Sequence, residues 1–281
     1  MKIKTYFGLD KLEITYRLTN DAINLLNGDE IDFIDFKLKK NYSNTKYKIC
    51  YDIITPNVVN NEIEFINWGK IYYGSFDYFK QQLYISVNNQ ILYSNDLGFL
   101  YFISETLNLE YMNINKIDFS FDTNCNPISK FLKILKDENF TFVILNKKIK
   151  DMKQEIDDII TINKGTRENL NKYKSIYIQN KERGLSLVAY DKLKEIEDNN
   201  FEKEYILNKL NFKPIYRLEI RTLHHILKDT LLKLNISNED LYYNLLDKEY
   251  LFLLYNNLLN RIIRINFNNK SYNLINILFN I

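Results

Sequence analysis

Apolar and polar residues alternate through most of the first third of the chain, the period-two pattern of strands that bury one face. Segments 11–18 (KLEITYRL), 47–54 (YKICYDII), 70–74 (KIYYG) and 82–94 (QLYISVNNQILYS) all follow it. In the last of these, Asn88 and Asn89 are predicted to form a hairpin turn. The period changes at 98–109 (GFLYFISETLNL), where Leu100, Ile103 and Leu107 fall on one side of a helix. Alternation returns at 113–124 (NINKIDFSFDTN). Ile117, Phe119 and Phe121 take one face of this strand, and Asp118, Ser120 and Asp122 take the other. A helix from 127, capped by Asn126 or Ser129, and a strand at 141–145 then complete a predicted β–α–β unit.

Residues 147–168 are polar without a firm period and are expected to form a surface excursion or a poorly ordered arm. KSIYIQN and GLSLVAY, joined across the polar turn NKERG, predict a hairpin. Helical spacing runs from Asp191 to about Leu210, and IYRLEIRTL (215–223) is the last predicted strand. Beyond it the pattern is helical, with Ser237 and Asp240 as a capping box. The expected fold class is α+β: a mainly antiparallel central sheet with packed helices and a helical C-terminal portion. The expected division is an α+β domain over 1–223, with N-terminal strands in 1–110 and a core in 111–223, followed by a helical portion over 224–281.

The 281 residues are 46% hydrophobic, enough to bury a substantial core, and only 7 Gly and 3 Pro occur, so no flexible linker stands out. The excess of Lys, Asn, Ile, Tyr and Phe is that of an AT-rich coding sequence, which devalues any one of the 22 tyrosines as a signal. Two cysteines, Cys50 and Cys125, cannot build a disulfide framework. No apolar run approaches a membrane span and the N-terminal segment lacks a signal-peptide core, so a cytoplasmic protein without a membrane partner is expected. The net charge is only +2. Residues 164–194, however, hold eight positive and three negative side chains, a basic segment suited to a polyanion.

Three strands carry polar residues that a sheet could gather. Asp118 and Asp122 share a face, as do Arg217, Glu219 and Arg221, and Tyr190 shares a face with Val188 and Lys192 at the end of a third strand. Carboxylates gathered on adjacent strands need a compensating charge, for which Mg²⁺ or Mn²⁺ is suited by its preference for oxygen ligands. Each feature also has a plain structural reading: a solvent-facing salt-bridge row, an edge carboxylate pair and a core tyrosine.

NKIDFSFDTN resembles the Arg-Ile-Asp-Leu-Ala-x-Asp strand of the rolling-circle replication initiation factors of plasmids, filamentous phage and conjugative transposons. SIYIQNKERGLSLVAYDKLKEIE resembles the Thr-hydrophobic-Tyr-hydrophobic-Gly-Ser-Arg segment and the Arg-hydrophobic-Tyr-Asp-Lys-x-x-Glu block of that family. IYRLEIRTL resembles its Arg-hydrophobic-Glu-hydrophobic-Arg strand. The blocks stand in the family's order over 115–223. Lys116 stands in place of the usual Arg, QNKERG replaces the Gly-Ser-Arg turn, and Ala189 replaces a bulkier residue.

The resemblance implies a replication-initiator or relaxase-like fold and a site-specific nicking–joining endonuclease that leaves a 5′-phosphotyrosine and a 3′-hydroxyl primer. It implies Tyr190 as nucleophile, with Lys192, Glu195 and Arg217 supporting phosphate contact or charge orientation. Asp118 and Glu219, with Asp122 as a third, are the implied ligands of Mg²⁺ or Mn²⁺. Lys181, Arg183 and Arg221 are the candidate DNA contacts, joined by Arg261, Arg264 and Lys270 in the helical portion. Origin DNA, single- and double-stranded, is the implied partner, with a host helicase and a homodimer as further candidates. His224 and His225 are adjacent and start a helix, so no ligand role is expected of them. The rivals are a relaxase of a mobile element, and a DNA-binding or structural protein of the same fold without catalysis.

Overall fold

The computed structural model describes residues 2–43, 47, 49–59, 62–74, 82–94, 96–149, 160–163, 175–180, 184–268 and 270–279. In chain order, the first elements are β1 (Thr5–Arg17), α1 (Asn20–Leu25), β2 (Glu30–Asp32), β3 (Lys37–Lys40), β4 (Ile49–Val59), β5 (Glu62–Tyr73) and β6 (Gln82–Val87). There follow α2 (Asn89–Tyr93), α3 (Phe99–Thr106), β7 (Glu110–Thr123), α4 (Pro127–Ile134), β8 (Phe140–Ile144), β9 (Lys147–Ile149) and β10 (Ile160–Asn163). Next are β11 (Ser175–Asn180), β12 (Leu185–Asp191), α5 (Lys192–Asp198), α6 (Glu204–Leu210), β13 (Tyr216–Leu223) and α7 (His224–Lys233). The chain closes with α8 (Asn238–Tyr243), α9 (Lys248–Ile262), β14 (Ile263–Phe267), β15 (Lys270–Tyr272) and α10 (Leu274–Phe279). The fold is α+β and mainly antiparallel, as the alternation predicts. No helix among the described residues is long and apolar enough to cross a membrane.

The chain forms two compact units, and β1 and β7 contribute residues to both. One unit comprises Lys11–Ile117 and Ser237–Leu246. Its strands lie in the order β7-β1-β6-β5-β4-β3-β2. The alternating residues of β1, β4, β5 and β6 supply its core: Ile14, Ile53, Ile71 and Ile85 are fully buried. Tyr16 and Tyr242 are buried with their hydroxyls 3.1 Å apart, which satisfies polar atoms that burial would otherwise strand.

The other unit comprises Met1–Asp10, Asp118–Ile236 and Asp247–Ile281. Its larger sheet runs β10-β11-β12-β13-β7-β1, and β15-β14-β8-β9 form a separate four-stranded sheet. One face of the larger sheet is apolar. Phe7 packs against Phe252 and Tyr255 of α9, with ring centroids 5.1 and 5.5 Å away. Leu187, Ala189 and Leu218 share that face with Pro127 and Phe131 of α4 and Leu278 of α10. The opposite face carries the polar residues.

Several local expectations are corrected. Asn88 does not turn a hairpin: its Oδ1 accepts the Gln90 N–H at 3.0 Å and caps α2, and Ile91, Leu92 and Tyr93 are buried there. An Asn before an apolar run can cap a helix as readily as turn a hairpin. β8 pairs with β14 and not within the sheet of β7, so 113–145 is not a β–α–β crossover. The polar stretch 147–168 contributes β9, paired with β8, and β10, paired with β11; the rest of it lies outside the described residues. The helical run after Tyr190 divides into α5 and α6 at a turn where Asn200 and Phe201 take positive φ. Beyond Leu223 the chain is not wholly helical. Asp247 caps a new helix, and Ile263 and Ile265 alternate into a β-hairpin that buries both.

Candidate active site

The polar face is assembled by strand register. β12 and β13 pair antiparallel with Tyr190 opposite Arg217, Val188 opposite Glu219 and Ser186 opposite Arg221. Side chains two apart on a strand share a face, so Tyr190, Arg217, Glu219 and Arg221 lie on one side of the ladder. β7, the neighbour of β13, brings Asp118, Ser120 and Asp122, all buried, and β1 beyond it brings Asp10. The three motif blocks therefore fall on adjacent strands.

Two charge groups result. In the first, the Tyr190 hydroxyl donates to Glu219 Oε2 at 2.8 Å, and Arg221 Nε donates to Glu219 Oε1 at 2.6 Å. Tyr190 is only 9% exposed, whereas 46% of the Arg221 side chain reaches solvent. Burial pushes the Tyr190 hydroxyl well above the ordinary tyrosine range; Arg217 opposes this, and Glu219, Asp10 and Glu195 add to it. Glu219, Tyr190 and Asp118 in turn raise the affinity of Arg221 for its proton against the effect of burial.

In the second group Arg217, with no exposed surface, donates from Nε to Asp122 Oδ1 at 2.7 Å and from Nη2 to Asp122 Oδ2 at 2.9 Å. Its Nη1 donates to Asp10 Oδ1. Burial pushes the Asp122 carboxyl upward and the Arg217 guanidinium pulls it back. A bidentate pair of this kind is the arrangement that lets a guanidinium and a carboxylate be buried together.

α5 closes over these groups because Asp191 ends β12 and caps the helix, its Oδ1 accepting the Lys194 N–H at 3.0 Å. The Lys192 and Leu193 amides both donate to the Ile215 carbonyl, at 2.9 and 3.1 Å. Lys192 is thereby buried, with Nζ 2.7 Å from Glu195 Oε2 and 5.7 Å from the Tyr190 ring centroid. Burial, with Arg217 beside it, lowers the Lys192 ammonium to about 8, although Asp10 and Glu195 pull the other way.

A stability dependence on pH follows. The unfolded chain holds the Lys192 proton up to about pH 10.5 and the folded chain only to about pH 8, so the unfolded state binds more protons between these values. The stabilising contribution is full above the unfolded value and lost as pH falls through the folded one. Between about pH 7 and about pH 9.5 the gain with rising pH is roughly 2 kcal/mol. Chemical denaturation of the wild type and of Lys192→Met should show this rise in the first and not in the second; parallel curves would contradict it.

The sequence-predicted residues are thus partly gathered. Tyr190, Glu219, Arg221, Lys192 and Arg217 come together, but Arg217 is enclosed by carboxylates and is not presented to a phosphate. The expected metal set is not assembled. Both oxygens of Asp122 are engaged by Arg217, and those of Glu219 by Tyr190 and Arg221. Among the described residues no three His, Cys, Asp or Glu side chains gather closely enough to hold a metal ion. Asp122 is turned to Arg217, and Glu219 to Tyr190 and Arg221, so the described carboxylates do not converge as a three-carboxylate centre. Lys181 and Arg183 lie outside the described residues, as do six of the eight positive side chains of the basic segment in all. Arg261 is turned inward to the Ile226 carbonyl and Thr230 of α7. His224 and His225 open α7, as expected.

Sequence reasoning missed Asp10 and Tyr205. Asp10 carries a signal in retrospect, a carboxylate on the same parity of β1 as the buried Leu12, Ile14 and Tyr16. Tyr205 of α6 responds to Asp10 and Arg217: burial, followed by Asp10, pushes its hydroxyl up to about 12. Nothing in its helical context sets it apart.

No protein-family model matches the chain, and no curated protein does. Among solved structures it is similar to the rolling circle replication initiator protein from Geobacillus stearothermophilus, with a TM-score of 0.48 and 14% sequence identity. That match covers 94% of this chain and 86% of the other.

Proposed function

We propose that the chain is a replication initiator that cuts and rejoins one strand of its origin DNA, with Tyr190 as the nucleophile. The observation that carries this reading is the hydrogen-bonded series Tyr190–Glu219–Arg221, with contacts of 2.8 and 2.6 Å. A nucleophile within reach of a base that is itself oriented by a third group is the arrangement expected of covalent catalysis. The resemblance of the three sequence blocks to rolling-circle initiators supports the same assignment.

The raised Tyr190 hydroxyl does not ionise ahead of attack near neutral pH. Its proton passes to the Glu219 carboxylate as the phenolic oxygen bonds to phosphorus and the P–O3′ bond breaks. The departing 3′-oxygen takes up a proton, leaving a 3′-hydroxyl and a 5′-phosphotyrosine. One P–O bond replaces another, so rejoining needs no external energy source. Arg221, half exposed beside Glu219, is placed to meet the non-bridging oxygens. Arg217 acts through Asp122 and Asp10 as a positioning residue.

The test is an adduct assay on denaturing gels, using oligonucleotides from the DNA that flanks the coding sequence. Glu219→Gln should retain DNA binding and slow adduct formation by about 10²–10⁴-fold, the usual contribution of a general base. An unchanged rate would remove Glu219 from the chemistry. The reading of this fold as DNA-binding without catalysis draws on the burial of Tyr190, and it forecasts no adduct from the wild type at all.

A further inference from the structure

A second concave site lies in the same unit, on the side of the sheet opposite Tyr190. Successive side chains of a strand alternate in direction, so Asp191 and Tyr216 point away from the face that carries Tyr190 and Arg217. They form the terminal pair of the β12–β13 ladder, one position beyond the Tyr190–Arg217 pair. Together with α4 they line a cleft of about 440 Å³.

We propose that this cleft seats one nucleotide of the single DNA strand on which the chain acts. The inference rests on the nicking reading for the identity of the strand, but its physical grounds are separate. Its volume is within the range of small-ligand pockets and suits a single base with its sugar and phosphate. Ile128 and Leu132, at i and i+4 on α4, form an apolar wall. Tyr216 is half-buried, with Asn126 beside it in the lining, and its ring offers a flat surface for a base to stack on. Stacking of this kind tolerates any base.

Lys133 and Lys136 supply the phosphate chemistry. Both are exposed, both line the cleft, and neither forms an ion pair among the described residues. The adjacent carboxylate of Asp137 is turned to the Asn139 N–H at 3.0 Å. Two ammonium groups beside an aromatic ring and an apolar wall match a phosphorylated base better than they match an acidic peptide, which would leave the wall and ring unfilled. Asp191 is the one acidic side chain among the described lining residues; its Oδ1 caps α5, and the carboxylate offers a further acceptor for an N–H of a base, such as N3–H of thymine. It also follows Tyr190 directly in the chain, so the cleft and the nucleophile are fixed to one strand end.

Fluorescence anisotropy of a labelled oligothymidylate of about twenty nucleotides, measured across a salt series, tests the assignment. Lys133→Ala/Lys136→Ala should weaken binding about tenfold and reduce the log–log salt slope by about 1.4, the loss of two phosphate contacts on a single strand. Tyr216→Ala should weaken binding about tenfold with the slope unchanged, and Tyr216→Phe should bind like the wild type. Equal affinity and slope in the double-lysine variant, or no binding by the wild type, would overturn the proposal. Loss of 5′-dTMP binding in that variant with oligonucleotide affinity intact would assign the cleft to a free nucleotide and overturn the strand assignment. Adduct formation is scored on the same proteins. Lysine-dependent binding without a wild-type adduct retains the cleft and rejects nicking; a wild-type adduct with lysine-independent binding does the reverse.

Discussion

Tyr190→Phe is expected to fold and to bind DNA but to give no nick and no denaturant-resistant adduct. Phenylalanine keeps the ring under Lys192 and removes only the atom that would bond to phosphorus. The change also leaves Glu219 Oε2 without its 2.8 Å donor in a buried setting, which costs about 1–3 kcal/mol. This separates two roles for the hydroxyl. A merely structural tyrosine forecasts the stability loss alone, whereas the nucleophile assignment forecasts that loss together with complete absence of adduct. Peptide mapping of the wild-type adduct should place the phosphate on Tyr190. An adduct from the Phe variant would move the nucleophile elsewhere, and Tyr177, opposite Val188 on β11, would be examined next.

Arg217→Met should be the most destabilising single change at the site. The guanidinium has no exposed surface and is the shared partner of Asp122 and Asp10, so its removal strands carboxylates inside the fold. Breaking a buried pair from one side costs about 3–5 kcal/mol, or roughly 10 °C in melting temperature for a chain of this size. Adding Asp122→Asn removes the stranded charge, and the double variant should recover part of the loss. Thermal melts within about 1 kcal/mol of the wild type would show that the ion pairs do not hold this face together. A single variant as destabilised as the double would show that Asp122 is not the group left uncompensated.

The strands that carry the site were legible because alternation is a local property. The faces of 113–124, 184–190 and 215–223 follow from period two, and the structure keeps each of them. What was not legible depends on pairing between distant segments. Arg217 and Asp122 are 95 residues apart, and Arg217 and Asp10 are 207 apart. From the strand alone, Arg217 was equally suited to phosphate and to carboxylate, and only the order β13-β7-β1 makes it the counter-ion of two acids. Glu219 was read as a metal ligand for the same reason, since its hydrogen bond from Tyr190 exists only once β12 and β13 are in register. At Asn88 and at Ile263 the miss was of another kind. The local pattern allowed two structures, and burial of Ile91 and Ile265 in the assembled unit selected one.

On the proposal that Tyr190 is the nucleophile, the attachment of α5 sets when it can be used. That helix has seven residues, is capped by the residue that follows Tyr190, and hangs by its first two amides from the Ile215 carbonyl. A helix of seven residues that buries only Lys192 and Ile196 opens locally more readily than the strands beneath it. The phenol of Tyr190 can therefore be uncovered while the sheet that fixes Glu219 and Arg221 stays intact. On the nicking proposal, cleavage at such a site would be gated: the phenol would stay closed to water until a DNA strand that favours the open form is bound.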